Sequence, residues 1–149
     1  MDSLPSKVKF AFTNLASTID DSAQWWQILL RIVADFEITF EGRLFYSERE
    51  FPIVEFAAQC RNWIAKTEST FNYNSMESDD NPLVSFQLGP NGLYTITSPH
   101  SNFVSSTQLT KKQLTTALNR FCQDVQNRVH DELRLRFDLE YISKQIMHK

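Results

Sequence analysis

Two clusters of carboxylates are the side chains of this sequence best suited to do chemistry. Glu48 and Glu50 precede a segment with helical spacing. The second cluster crowds one polar turn and consists of Glu77, Asp79 and Asp80. Glycoside hydrolysis needs two carboxyl groups that face each other across a cleft at about 5–9 Å, which sequence spacing does not show. Exposed loop carboxylates also bind cationic surfaces of other proteins, so we predict that both clusters bind a protein partner.

The other reactive side chains give little support to metal binding or nucleophilic catalysis. His100, His130 and His148 lack the paired spacing of a metal site, and His100 is the one candidate for a site on a loop. No G-x-S-x-G motif occurs, and none of the 3 glycines lies between a predicted strand and a predicted helix. This argues against a nucleotide enzyme of the common kinds. Cys60 and Cys122 lie among apolar residues, which predicts buried thiols. We predict no catalytic residue, no metal and no cofactor.

The segment that must position the first cluster is a predicted hairpin followed by a helix. Residues 28–40 alternate like a strand, which we expect to begin near Trp25 and Trp26. The alternative is a short helical turn that the Asp20-Asp21-Ser22 cluster caps and that runs into the two tryptophans. The apolar residues of one parity lie on one face of this strand: Ile28, Leu30, Ile32, Ala34, Phe36, Ile38 and Phe40. Gly42 permits the positive φ of a tight turn, and residues 43–46 return as a short strand. After a polar link, Pro52 begins a helix that runs to about Lys66.

The remaining elements are predicted from alternation and turn residues. Residues 7–13, 71–76, 83–88 and 93–97 read as strands, and the last two are joined by a Gly-Pro-Asn-Gly turn. Thr110 and Gln113 have capping-box spacing at the start of a long helix. For residues 133–141 we favour a helix that runs to about Arg136, a break near Asp138 and a short final helix, and a strand is the alternative. The order predicts one α+β domain over 1–149, with an antiparallel sheet of about five to six strands and two main helices packed on one face.

Charge and hydropathy narrow the classes of partner. Residues 1–109 hold 7 Lys or Arg against 13 Asp or Glu, a net of −6, and residues 110–149 hold 8 against 5, a net of +3. Nucleic-acid binding is disfavoured because the basic residues are dispersed and interleaved with acids. No run is long enough for a membrane span, and the first residues lack a signal-peptide pattern. We expect a cytoplasmic protein.

The segment from Asp35 to Ile64 resembles a family of small, uncharacterised bacterial α+β proteins. The pattern runs from an Asp-Phe strand through a Gly turn to a Glu-rich link, a Pro, a Glu and a helical Trp. The matching positions are Asp35, Phe36, Gly42, Glu48, Pro52, Glu55 and Trp63. Such proteins look like immunity proteins of bacterial toxin systems, so the resemblance implies a protein that neutralises a cognate toxin by tight binding.

Three functional hypotheses follow. The first is a non-catalytic cytoplasmic binding protein, an immunity protein whose acidic surface meets a basic toxin domain. The alternative is a small-molecule-binding or hydrolytic domain with Glu48, Glu55 or His100 near a pocket. The third is a scaffold that self-associates through its C-terminal helix.

Overall fold

The chain folds into an α+β structure, as predicted. The computed structural model describes residues 7–19, 22–66, 68–76 and 78–147, so Glu77 and His148 lie outside the described residues. The elements in chain order are β1 (Val8–Ser17), α1 (Trp25–Arg31), β2 (Ile32–Phe40), β3 (Arg43–Phe51), α2 (Ile53–Ile64), β4 (Phe71–Tyr73), β5 (Val84–Leu88), β6 (Tyr94–Thr97), α3 (Lys111–Leu133) and α4 (Leu139–Met147).

The strands form two antiparallel sheets of three strands each, with the orders β1-β2-β3 and β4-β5-β6. The predicted single sheet of five to six strands is therefore wrong. A loop, and not a fourth strand, meets the outer edge of β3. The backbone amide of Asn102 donates to the carbonyl oxygen of Phe45 at 2.7 Å, and its side-chain amide donates to that of Leu44 at 3.3 Å. The strands β4, β5 and β6 pair with one another in a separate sheet.

The hairpin turn was predicted correctly, but its second strand is longer than predicted. Glu41 and Gly42 both have positive φ, at 50° and 85°. This is the conformation of a two-residue type I′ turn, whose twist matches that of the flanking strands. β3 then continues to Phe51 through two register shifts against β2. The segment containing Glu48 and Glu50 is thus strand and not a polar link. A positive φ of 52° at Glu50 accompanies the second irregularity.

The predicted long strand is wrong at its beginning, because residues 25–31 form α1. The backbone amide of Gln24 donates to Oε1 of Gln27 at 2.8 Å, which satisfies a group at the helix start. Leu29 is buried, whereas Trp26 is half exposed. The apolar residues of this short segment fit both the alternation of a strand and the turn of a helix, so the pattern alone did not distinguish the two.

The core is aromatic, and α2 lies at its centre. α2 and α3 pack against the sheet β1-β2-β3. On the other side, Trp63 of α2 contacts Phe71, Phe86 and Tyr94 from the inner face of the second sheet. The ring of Phe56 is fully buried and contacts rings from both sheets and from α3: Phe10, Phe36, Phe51, Phe71, Tyr73 and Phe121.

The C-terminal region forms two helices separated by an irregular link over 134–138, which agrees with the predicted break between two helices. The Thr110 hydroxyl accepts a hydrogen bond from the backbone amide of Gln113 at 3.0 Å. In return, Oε1 of Gln113 accepts one from the backbone amide of Thr110 at 2.9 Å. The predicted capping box is therefore confirmed. α3 ends at Leu133, slightly before the predicted end, because Arg134 adopts a left-handed conformation with φ 58°. The strand alternative is wrong.

Both cysteines are buried and free, as predicted. Burial raises the pKa of Cys122 to about 12 and raises that of Cys60 well above its ordinary value. The thiolate is the nucleophile, so we expect neither thiol to react with a disulfide reagent such as Ellman's reagent in native buffer at about pH 8. Both should react at once in denaturant. Rapid labelling of the native protein would contradict this packing.

Candidate functional site

The predicted acidic residues occupy two separate elements. Asp79 and Asp80 lie on the turn between β4 and β5, whereas Glu48 and Glu50 lie on β3. The groove that Asp79 and Asp80 line does not include Glu48 or Glu50. One oxygen of Glu48 accepts a hydrogen bond from the Tyr46 hydroxyl at 2.6 Å, so this carboxylate is already partly used within the protein.

Asp79 and Asp80 line a groove of about 700 Å³ that we call the acidic groove. Its walls are the turn 79–82 and the loop 98–100, and its floor is the outer face of β5 and β6. The lining residues are Asp79, Asp80, Asn81, Pro82, Ser85, Gln87, Thr97, Ser98, Pro99 and His100. The structure therefore brings part of the second predicted cluster together with His100.

The floor of the acidic groove is polar but uncharged because β5 and β6 alternate. Phe86 and Ile96 point into the core, so their neighbours Ser85, Gln87 and Thr97 take the outer face. Ser85 and Thr97 are directly paired across the two strands. Sequence reasoning did not select these floor residues, although the polar positions of the VSFQL and YTIT segments carried the signal.

One side chain holds the acidic turn in place. The backbone amide of Ser75 donates to Oδ1 of Asn81 at 2.8 Å, and Nδ2 of Asn81 donates to the carbonyl oxygens of Ser75 at 2.9 Å and Ser78 at 2.8 Å. The amide of Asp80 also donates to the Ser78 hydroxyl at 3.1 Å, and the Asn81–Pro82 peptide is cis. The hydrogen bonds of Asn81 and Asp80 restrict the described part of this turn, which lowers the entropic cost of binding.

His100 faces Asp80 across the mouth of the groove. Its Nε2 lies 3.5 Å from Oδ2 of Asp80, and both side chains are exposed. The Ser98 hydroxyl accepts from the backbone amide of His100 at 3.1 Å. Among the described residues, no hydroxyl or thiol forms a hydrogen bond with the imidazole, so the pair lacks the nucleophile of a hydrolytic triad. The carboxylates of Asp79 and Asp80 at the mouth suit a cation.

Glu55 lies in a different groove from His100. This second groove, of about 630 Å³, runs between α2 and β4 and is also lined by Gln59 and Asn62. Glu55 is only 1% exposed. Its Oε1 accepts from the Tyr73 hydroxyl at 2.7 Å, and its Oε2 accepts from the backbone amide of Met76 at 3.0 Å. Burial and this neighbouring carboxylate raise the pKa of Tyr73 far above its ordinary value. Both oxygens of Glu55 therefore serve the fold.

The described ranges contain neither a cluster of metal ligands nor a membrane-spanning helix. No three side chains of the types His, Cys, Asp and Glu gather there as a metal site would require. None of the helices within those ranges has the length and apolar character needed to cross a bilayer.

Comparison with known proteins identifies a family. A family model described as a domain of unknown function (DUF7878) matches residues 8–131, which cover most of the chain from β1 into α3. No curated protein and no solved structure matches the chain.

Proposed function

We propose that this protein, which belongs to the DUF7878 family of unknown function, is a non-catalytic binding protein whose acidic groove receives a cationic segment of a partner protein. The observation that carries the proposal is the position of Asp79 and Asp80 above an uncharged polar floor, on a turn that Asn81 holds in place. A lysine or arginine side chain in this groove gains charge-assisted hydrogen bonds to carboxylates. Exposed carboxylates also accelerate the approach of a basic partner.

The narrower form of the proposal is an immunity protein. Its partner is a basic toxin domain, and its place of action is the cytoplasm of a bacterium. An inhibitor of this kind needs a rigid scaffold and a complementary charge and does not need catalysis. The fixed turn beside an aromatic core fits that requirement. The resemblance through Asp35, Gly42, Pro52 and Trp63 adds support to this assignment, which remains a proposal.

Charge-neutral variants test which acidic cluster binds. We expect the double substitution Asp79→Asn and Asp80→Asn to slow association with the partner by about tenfold at low salt, because long-range attraction is lost. The matched control is Glu48→Gln with Glu50→Gln, which removes the same charge from β3 and should have a smaller effect. The partner is first captured from lysate of the native cell at low salt and released at high salt, and kinetics are then measured with the purified partner.

Three results would contradict the proposal. One is capture of no stoichiometric partner at either salt. Another is a captured partner whose association rate does not depend on Asp79 and Asp80. In the third, the β3 variant has the larger effect, which would transfer recognition to Glu48 and Glu50.

A small ligand is the second candidate function, and the contact between Asp80 and His100 favours it. The groove of about 700 Å³ is within the size range of small-molecule sites, and its mouth suits an amine. Since Glu55 is occupied within the fold, this candidate rests on His100 and the acidic turn. Native mass spectrometry of protein purified from its own cells separates the two functions, because a small ligand and a protein partner differ plainly in mass.

A further inference from the structure

The outer edge of β1 lies open beside α3. β1 is the terminal strand of its sheet. The backbone amide of Glu41 donates to the carbonyl oxygen of Lys7 at 3.1 Å, which fixes the hydrogen-bonding phase of the β1–β2 pair. In an antiparallel pair, alternate residues direct their backbone groups toward the partner and away from it. The outer edge of β1 therefore carries the backbone N–H and C=O groups of Val8, Phe10 and Phe12.

A contact from α3 independently supports this outward direction of the backbone groups. Nη1 of Arg128 donates to the carbonyl oxygen of Phe12 from the α3 side at 2.9 Å. Among the described residues, no hydrogen bond reaches the outward backbone groups of Val8 and Phe10. Within the described part of the chain, the edge is thus capped at Phe12 and open at Val8 and Phe10.

A groove accompanies the open edge along α3. It has a volume of about 480 Å³, and its α3 wall consists of Ala117, Arg120, Phe121, Asp124 and Arg128. Ala117 and Phe121 are buried, so the groove is apolar near the sheet and charged at its rim. An added strand needs about 4.8 Å beside β1, and its side chains would alternate between α3 and the outer face of the sheet.

The rim of the groove is basic. Lys9 and Arg120 are exposed, and neither forms an ion pair with another described residue. Arg128 pairs with Glu132 at 2.8 Å, and Asp124 is the only acidic residue that lines this groove. A bound strand with acidic side chains would therefore meet complementary charge.

We propose that the edge of β1 over Val8–Phe12 is a docking site for an extended acidic peptide segment of another protein, which binds by strand addition. A second copy of this chain fits less well, because it would bring the same cations against one another. Lysine on an edge strand discourages self-pairing, but an acidic strand is attracted. This surface is distinct from the acidic groove and does not depend on the function proposed above.

The test uses a capped eight-residue peptide that alternates Glu and Val, titrated into isotopically labelled protein. We expect the amide signals of Val8 and Phe10 to shift and their hydrogen exchange to slow. Arg120→Glu should weaken binding about tenfold. The control Lys112→Glu, which makes the same charge change on α3 outside the groove, should alter it less than about twofold.

N-methylated peptides separate strand addition from general attraction. Two peptides are compared, one methylated at the odd-numbered backbone nitrogens and one at the even-numbered ones. Only one of them should lose binding, because only one edge of the peptide faces β1. The proposal is overturned if the peptide does not bind at about 1 mM, or if both methylated peptides bind equally. It is also overturned if Arg120→Glu and Lys112→Glu weaken binding equally, or if an alternating Lys–Val peptide binds as well.

Discussion

Replacing Phe56 with Ala is expected to lower the free energy of unfolding by about 3–5 kcal/mol. Phe56 is fully buried, and its ring centroid lies 5.0 Å from that of Phe36 and 5.1 Å from that of Tyr73. It also contacts Phe121 of α3 at 5.7 Å. The substitution therefore opens a cavity where both sheets and two helices meet, and rigid neighbours from several elements cannot all move to fill it.

Urea unfolding followed by circular dichroism measures this effect, with Phe103→Ala as the matched control. Phe103 is only partly buried and contacts Phe45 and the guanidinium of Arg43 near the loop 98–108. Its truncation should cost about 1–2 kcal/mol because less apolar area is lost. Equal costs for the two substitutions would show that Phe56 is not the centre of the core.

Replacing Glu55 with Ala is expected to cost about 2–3 kcal/mol of folding free energy. The substitution removes the acceptor of the Tyr73 hydroxyl and one acceptor of the Met76 amide. Tyr73 is fully buried, so its hydroxyl has little access to replacement water. The loss should also loosen the segment that leads from β4 to the acidic turn.

A double-mutant cycle with Tyr73→Phe isolates the bond between the two side chains. We expect the combined variant Glu55→Ala with Tyr73→Phe to be less destabilised than the sum of the single variants, since each single change leaves one buried partner without its bond. Additive costs would contradict a direct stabilising contact. If Glu55→Ala left stability unchanged but abolished ligand binding, Glu55 would instead belong to a functional pocket.

The sequence predicted elements best where local chemistry determines them. The turn at Gly42, the capping box at Thr110 and the burial of Cys60 and Cys122 each follow from a short-range rule. The α1 helix was missed because its five apolar residues fit both the alternation of a strand and the turn of a helix. The division into two sheets was missed because it depends on which strands pair in the folded chain, and no local pattern encodes that pairing. The contact of Asn102 with the edge of β3 is similarly long-range, because Phe45 lies 57 positions earlier in the chain.

The candidate site was predictable only in part, because residue types are local but their meeting in space depends on long-range pairing. Asp79, Asp80 and His100 were selected by residue type, but their meeting across one groove depends on the pairing of β5 with β6. Glu55 looked like a pocket residue in the sequence. Its hydrogen bond to Tyr73, which is 18 positions away, makes it a structural residue. Residue type identified candidates, and tertiary pairing decided which of them can act together.

The occupancy of the acidic groove is measured most directly by titrating isotopically labelled protein with a short arginine-rich peptide at low salt. We predict that the amide signals of Asp79, Asp80, Ser98 and His100 shift together and that the shifts disappear in the Asp79→Asn, Asp80→Asn variant. The Glu48→Gln, Glu50→Gln variant should keep them. Shifts that centre on β3, or that spread evenly over all exposed carboxylates, would contradict a cation-binding groove.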